Sequence, residues 1–319
     1  MPTGMPTMRG RPIPLFAFAL VLAAGGIVGM AYAAGWHHVL STLGHVTLGW
    51  VLIALAAQIV ALLAYVPSYR TFAGIDGGTE LQWRMALELV VAGFGAFVPG
   101  GGLAHDKRAL THIDGDARAT AGRILGLGAL EYAVIAPAAW LAAVVLLPEH
   151  NGIQRAILWS WAICVPLGTV LALLALHQRK RLTRDGHHRR TDQALCGLQH
   201  LLDLIRARHV APGFGGMLGY WAAEAVSLYA AGRALGFSLG LGQLILGLAT
   251  GWALTRRSMP LAGAGAMMVF MSLALHWVGV SLVTAVAMVV VYHLAGLVLP
   301  GLAALWARHS LEEKTRPAV

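Results

Sequence analysis

Arg256 and Arg257 stand side by side with an apolar stretch on either side, and Pro260, Gly263 and Gly265 follow at once. A guanidinium pair of this kind is costly against lipid and calls for water or an anion. Proline removes a backbone donor and glycine relaxes the limits on φ, so a membrane helix breaks here and bares its peptide groups. A break at membrane depth is tolerated where it is buried in protein or lines a wet cavity. Three glutamates, Glu88, Glu131 and Glu224, fall inside apolar runs, and a second break at Pro99, Gly100 and Gly101 precedes Lys107 and Arg108. Cations for phosphate, peptide N–H groups at a broken helix and carboxylates for a cationic head group are what a path for a charged lipid requires. Plainer roles stand beside these. The arginine pair also fits a cytoplasmic turn that obeys the positive-inside bias. Glu88 also fits an ion pair with Arg84, and the other glutamates and His293 fit interhelical hydrogen bonds.

The elements that must position these residues are membrane helices. With 58% hydrophobic residues, 12% charged residues and a mean hydropathy of +0.69, the chain is an all-α polytopic membrane protein rather than a soluble globule. The formal charge of +9 is spread over the N-terminus, two connectors and the tail, between apolar spans. That pattern reads as cytoplasmic loops beside anionic lipid rather than as a nucleic-acid surface. Cys164 and Cys196 lie in different contexts without CxxC or Cys/His spacing, so neither a disulfide nor a zinc site is expected. The histidines are scattered, and His187 and His188 sit in a basic loop without metal-site spacing. There is no HExxH, no GxSxG and no ATP-binding loop. No metal, no cofactor and no enzymatic activity are expected.

Read in order, 1–319 forms one integral membrane domain. Residues 13–34 make a first span behind Arg9 and Arg11, retained as a signal anchor with its N-terminus inside. Val46 to Val66 returns inside. Glu80, Arg84 and Glu88, spaced four apart, are expected to stack on one helical face. Leu81 to Arg108 reads as a re-entrant hairpin about Pro99, or as a full span with a polar loop. Ile124 to Leu147 and Ala156 to Leu176 are spans. The segment 178–210 opens with QRKRLTRDGHHRR, the most basic stretch of the chain, and continues as an amphipathic helix from Thr191 to Arg208, expected to rest on the inner leaflet or to dock a partner. Phe214 to Leu235 crosses, Leu241 to Trp277 is broken at Pro260, and Val280 to Trp306 leads to a cytoplasmic tail at 309–319. Six to eight transmembrane helices result, with one or two Pro/Gly-broken hairpins. The two breaks are separated by three spans, which would make the halves an inverted repeat with its site near the midplane.

Several motifs together carry a resemblance. Phe97-Val98-Pro99-Gly100-Gly101-Gly102, the proline and Gly-x-Gly bend at 260–265, Gly279-Val280, the aromatic-basic pair Tyr292-His293 and Pro300-Gly301 resemble the lysylphosphatidylglycerol synthase transmembrane-region family. That family includes the flippase half of the multiple peptide resistance factor and stand-alone members near hopanoid and glycolipid functions. Two positions depart from its pattern: Met267 or Met268 stands where a glutamate is usual, and His293 where an arginine is usual. The resemblance implies a flippase-type domain that binds and translocates an anionic or aminoacylated phospholipid, or a polyprenyl-phosphate-linked lipid, across the bacterial inner membrane. Aminoacyl transfer belongs to a soluble C-terminal domain in bifunctional members, and this chain is expected to lack it. The other reading is a non-transporting scaffold of lipid, hopanoid or glycan synthesis. Partners are membrane lipids, no nucleic acid, and a second copy in a homo-oligomer.

Overall fold

The computed structural model describes residues 21, 25, 26, 28–94, 102–149, 154–179, 189–206, 210–253, 264–296 and 303. Among these there is no strand; every regular element is a helix. The first, α1, holds the helical residues up to 34, and α2 is Trp36–Leu43. Then come α3 (Leu48–Ala73), α4 (Trp83–Phe94), α5 (Gly102–Asp114), α6 (Ala117–Leu146) and α7 (Gln154–His177). After them lie α8 (Arg189–Arg206), α9 (Val210–Ala234), α10 (Leu241–Ala253), α11 (Ala264–Trp277) and α12 (Leu282–Gly296).

Three helices, α3, α6 and α7, are long and apolar enough to cross a membrane. The outward faces of α3 and α7 show Leu52, Ile53, Val170 and Leu171 to the surroundings, as lipid requires. With 25 residues, α9 has the length but a more polar composition, because it carries Glu224, Ser227 and Arg233 and turns inward. It lies along α3 at the centre of the protein. The approach is close because Gly216 has no side chain: a Cβ there would stand 2.7 Å from the Ala64 carbonyl oxygen and from Ser68 Oγ. Ser68 also donates to the Gly213 carbonyl at 2.6 Å, fastening the two backbones.

Each of these central helices runs into a pair of short ones. Behind α3 stand α4 and α5, of 12 and 13 residues; behind α9 stand α10 and α11, of 13 and 14 residues. A helix of 12 to 14 residues rises only about 18–21 Å, less than a hydrocarbon core of about 30 Å. A further helix closes each unit, α6 in the first and α12 in the second.

Three expectations change. Glu80 lies in the extended segment before α4, so only Arg84 and Glu88 stack. The span expected from Ile124 begins instead at Ala117, where Asp116 caps α6 by accepting from the backbone N–H groups of Arg118 and Ala119 at 2.8 and 3.1 Å. Those two hydrogen bonds hold the Asp116 carboxyl below its usual pKa. The amphipathic helix, expected to rest on the leaflet or to dock a partner, also packs on this chain: α8 lies on α6 with Leu195, His200 and Leu204 buried, while Ile205 stays exposed. Glycine again permits the contact, since a Cβ on Gly197 would lie 2.8 Å from the Gly126 nitrogen.

Candidate functional site

Four polar residues buried in this core, Gln58, Glu131, Glu224 and Ser227, converge on one seam between α3, α9, α6 and α12. Glu224, near the middle of α9, and Glu131, near the middle of α6, are 4 and 5% exposed. Glu224 accepts three hydrogen bonds: from Gln58 Nε2 at 3.0 Å, from Tyr220 Oη at 2.6 Å and from Tyr292 Oη at 2.5 Å. Glu131 accepts from Tyr65 Oη, and its backbone carbonyl accepts from Trp221 Nε1 at 3.1 Å. The two acids are joined through their tyrosines, since the rings of Tyr65 and Tyr220 meet edge to face at 5.4 Å.

Why the seam forms is legible residue by residue. Tyr220, Glu224 and Ser227 recur at helical spacing and therefore share one stripe of α9, the stripe pressed on α3. Gln58 on α3 meets that stripe, giving one N–H to Glu224 and the other to Ser227 Oγ at 3.0 Å; Ser227 in turn donates to the Ala54 carbonyl at 3.1 Å. In a medium without water such groups must satisfy one another, so the stripe and the glutamine are mutually required.

The ends of both short pairs reach this seam. Phe94, the last residue of α4, stacks against Tyr65 at 5.0 Å and Tyr220 at 6.0 Å. Trp252, in the last turn of α10, donates to Tyr292 Oη at 2.9 Å, and Tyr292 donates to Glu224. The two units also mirror each other in chemistry. In the first, a tyrosine on the leading helix α3 bonds a glutamate on the closing helix α6; in the second, the glutamate is on the leading helix α9 and the tyrosine on the closing helix α12.

With this geometry in place, the comparison with known families is decisive: the model for the lysylphosphatidylglycerol synthase TM region matches residues 15–304. The chain belongs to that family. Among curated proteins no match is found. Membership makes the chain a lipid-related membrane domain, and the expected resemblance is met along nearly its whole length.

The sequence-derived site residues divide into three groups. Glu131 and Glu224 are brought together. Glu88 is buried with Arg84 at 3.3 Å, on a guanidinium that is itself 74% exposed. Lys107 is half-buried and Arg108 exposed on α5. His293 is half-buried on α12, and its neighbour Tyr292, not His293, bonds the carboxylate. Gly265 is buried at the start of α11, where its carbonyl oxygen would lie 3.1 Å from a Cβ on Gly26 of α1. Pro99, Gly100, Gly101, Arg256, Arg257, Pro260 and Gly263 lie outside the described residues. Sequence reasoning passed over Gln58, Tyr65, Tyr220, Ser227, Tyr292 and Trp252. The four-residue spacing of Tyr220 and Glu224 was a usable signal; the partners on other helices gave none.

A second polar cluster sits in the loop between α3 and α4. Arg123 of α6 bonds Asp114 at 2.5 Å, with both side chains buried, and donates to the Ile75 carbonyl at 2.9 Å. Asp114 also takes the Thr79 hydroxyl. Asp76 holds a left-handed φ of 52° and reaches His200 of α8, whose Nε2 lies 2.9 Å from its carboxylate. Burial lowers the His200 pKa; the opposing pull of Asp76 is weaker because that carboxylate is 66% exposed. At neutral pH the contact is therefore a neutral imidazole donating from Nε2, which leaves Nδ1 an acceptor, and Nδ1 is buried without a partner. Beside this clasp opens a cavity of about 500 Å³ lined by Arg70, Asp76, Glu80 and Asp203 among others. No group of three or more potential ligands for a metal occurs among the described residues.

Proposed function

We propose that the protein is a lipid translocase of the bacterial inner membrane that carries an anionic or aminoacylated phospholipid, or a polyprenyl-phosphate-linked lipid. The observation that carries this reading is the convergence of both short-helix ends, Phe94 and Trp252, on the buried Glu131 and Glu224 seam. Each of those ends leads in the sequence into a Pro/Gly-containing stretch, and Arg256 and Arg257 precede the second. A head group at the breaks would meet guanidinium charge for its phosphate and, for a lysyl-bearing lipid, carboxylates for its ammonium. The short pairs act as re-entrant hairpins in this reading. Entering from opposite faces as an inverted repeat, they would bring both breaks to the midplane around one fixed site. Without an ATP-binding loop, movement is downhill or coupled to protons or membrane potential, and the protein works as a carrier rather than an enzyme.

The test is lipid movement by purified protein in liposomes with labelled phosphatidylglycerol, its lysyl form and a polyprenyl phosphate. One of the three is expected to move, and the Arg256→Ala, Arg257→Ala double variant is expected to insert normally and lose that movement. Transport unchanged in the double variant would remove the phosphate role from the arginine pair. If none of the three lipids moves, translocation of this substrate class is wrong.

A further inference from the structure

Glu224 differs in the company it keeps from the acids that hold a cation of this chain. Asp114 has Arg123, Glu88 has Arg84 and Asp192 has Arg118, whereas the partners recorded for Glu224 are Gln58, Tyr220 and Tyr292, all neutral. A carboxylate taken out of water needs a counter-charge or a proton. The fold supplies neither a lysine nor an arginine to it among the described residues.

The hydrogens around it are directional. Ser227 gives its one hydrogen to the Ala54 carbonyl, so its oxygen receives from Gln58, and the other Gln58 N–H points at Glu224. Trp252 gives its N–H to Tyr292 Oη, and Tyr292 gives its own hydrogen to Glu224. Every chain of donors thus ends on this carboxylate, which is the arrangement an ionised acceptor-only group demands. Adding a proton must break it somewhere. A proton on Oε2 faces Gln58 Nε2, which has no lone pair, and Tyr292 Oη, whose hydrogen must then leave the carboxylate while Trp252 still donates to the same oxygen. A proton on Oε1 faces Tyr220 Oη, whose hydrogen must leave instead, and the Tyr220 ring lies against Tyr65 and Phe94. One route ends at the tip of α10 and the other at the tip of α4.

From this we infer that Glu224 is a proton-binding site that exchanges a proton for the cationic part of a lipid head group, each occupant excluding the other. The coupling to lipid rests on the translocase reading; the proton site does not. The balance is one H⁺ gained by the carboxylate from one side and released to the other as an ammonium takes its place, with no redox step. The titratable groups that face Glu224 are Tyr220 on its own helix and Tyr292 from α12, with His293 next in the chain; Tyr65 with Glu131 lies behind the Tyr220 ring. Among the described residues, Gln58 from α3 also donates to Glu224 without titrating, and Trp252 from α10 reaches it through Tyr292.

Two measurements separate the parts. In infrared difference spectra between acid and neutral buffer, protein in lipid nanodiscs is expected to show a protonated-carboxyl C=O band that is absent from Glu224→Gln and shifted in Tyr292→Phe. In liposomes, a transmembrane pH gradient is expected to raise the movement of lysyl-phosphatidylglycerol by at least about fivefold, and the ratio with and without the gradient is expected to fall to one in Glu224→Gln. Spectra identical in wild type and Glu224→Gln overturn the proton site, whether or not any lipid moves. Should Glu224→Gln not fold, an unshifted band in Tyr292→Phe does the same. Lipid that moves equally with and without the gradient overturns the coupling and leaves the translocase intact. A band present with no lipid moving upholds the proton site and overturns the translocase reading and the coupling together.

Discussion

The seam at Glu224 and the clasp at Arg123 are both buried and polar, and both tie several helices together, yet they are wired in opposite ways. In the clasp the buried negative charge meets a cation of the protein itself, Asp114 on Arg123. In the seam Glu224 meets three neutral donors. A charge neutralised from within is part of the fold, because removing either partner strands the other. A carboxylate whose partners are neutral donors has no such counter-charge from within. The difference in wiring separates what holds this protein together from what it can work with.

The comparison can be broken at its strongest point first. Arg123→Ala leaves Asp114 buried without its cation and frees the loop before α4, at an expected cost of about 3–5 kcal/mol; thermal unfolding in detergent reads it. If Arg123→Ala unfolds no more easily than wild type, the clasp is not structural. In the seam the matching change is smaller. Tyr292→Phe removes one of three donors to Glu224 and one acceptor for Trp252, at an expected cost on the order of 1 kcal/mol. Transport should fall far more than stability does, and equal losses in both would make the seam a second structural clasp.

The smallest effect concerns pH. The folded protein holds His200 below its ordinary value of 6.5 through burial, so the unfolded chain binds the proton more readily. Stability from this group is therefore intact above about pH 6.5 and declines as pH falls below it. His200→Gln keeps an N–H for Asp76 and removes the titration, and its stability profile is expected to be flatter than wild type across that window. A wild-type profile with the same slope as the variant would show that the histidine does not report the clasp.

Membrane class, family and the two glutamates were open to a reader of the chain, because apolar length and a charge inside an apolar run are local properties. Element edges were less open: the polar turn at 117–123 looked like connector, yet Asp116 caps it and Arg123 is paid back by Asp114, so helix runs through it. The face of α8 was visible as a pattern, but whether lipid or protein covers it depended on Gly126 meeting Gly197 from a distant part of the chain.

What the sequence by itself determined is an all-helical, lipid-related membrane protein with acids inside its apolar runs. Only the tertiary structure decided which acid has a cation and which has not. Gln58, Tyr220 and Tyr292 stand on three helices, and no spacing along the chain links the first and last of them to Glu224. Glu88 and Glu224 look alike in sequence, each an acid in an apolar run. Yet Glu88 has its arginine four residues before it in the chain itself, whereas packing brought Gln58 and Tyr292 to Glu224, because hydrogen-bond partners in a dry core are set by which helices touch.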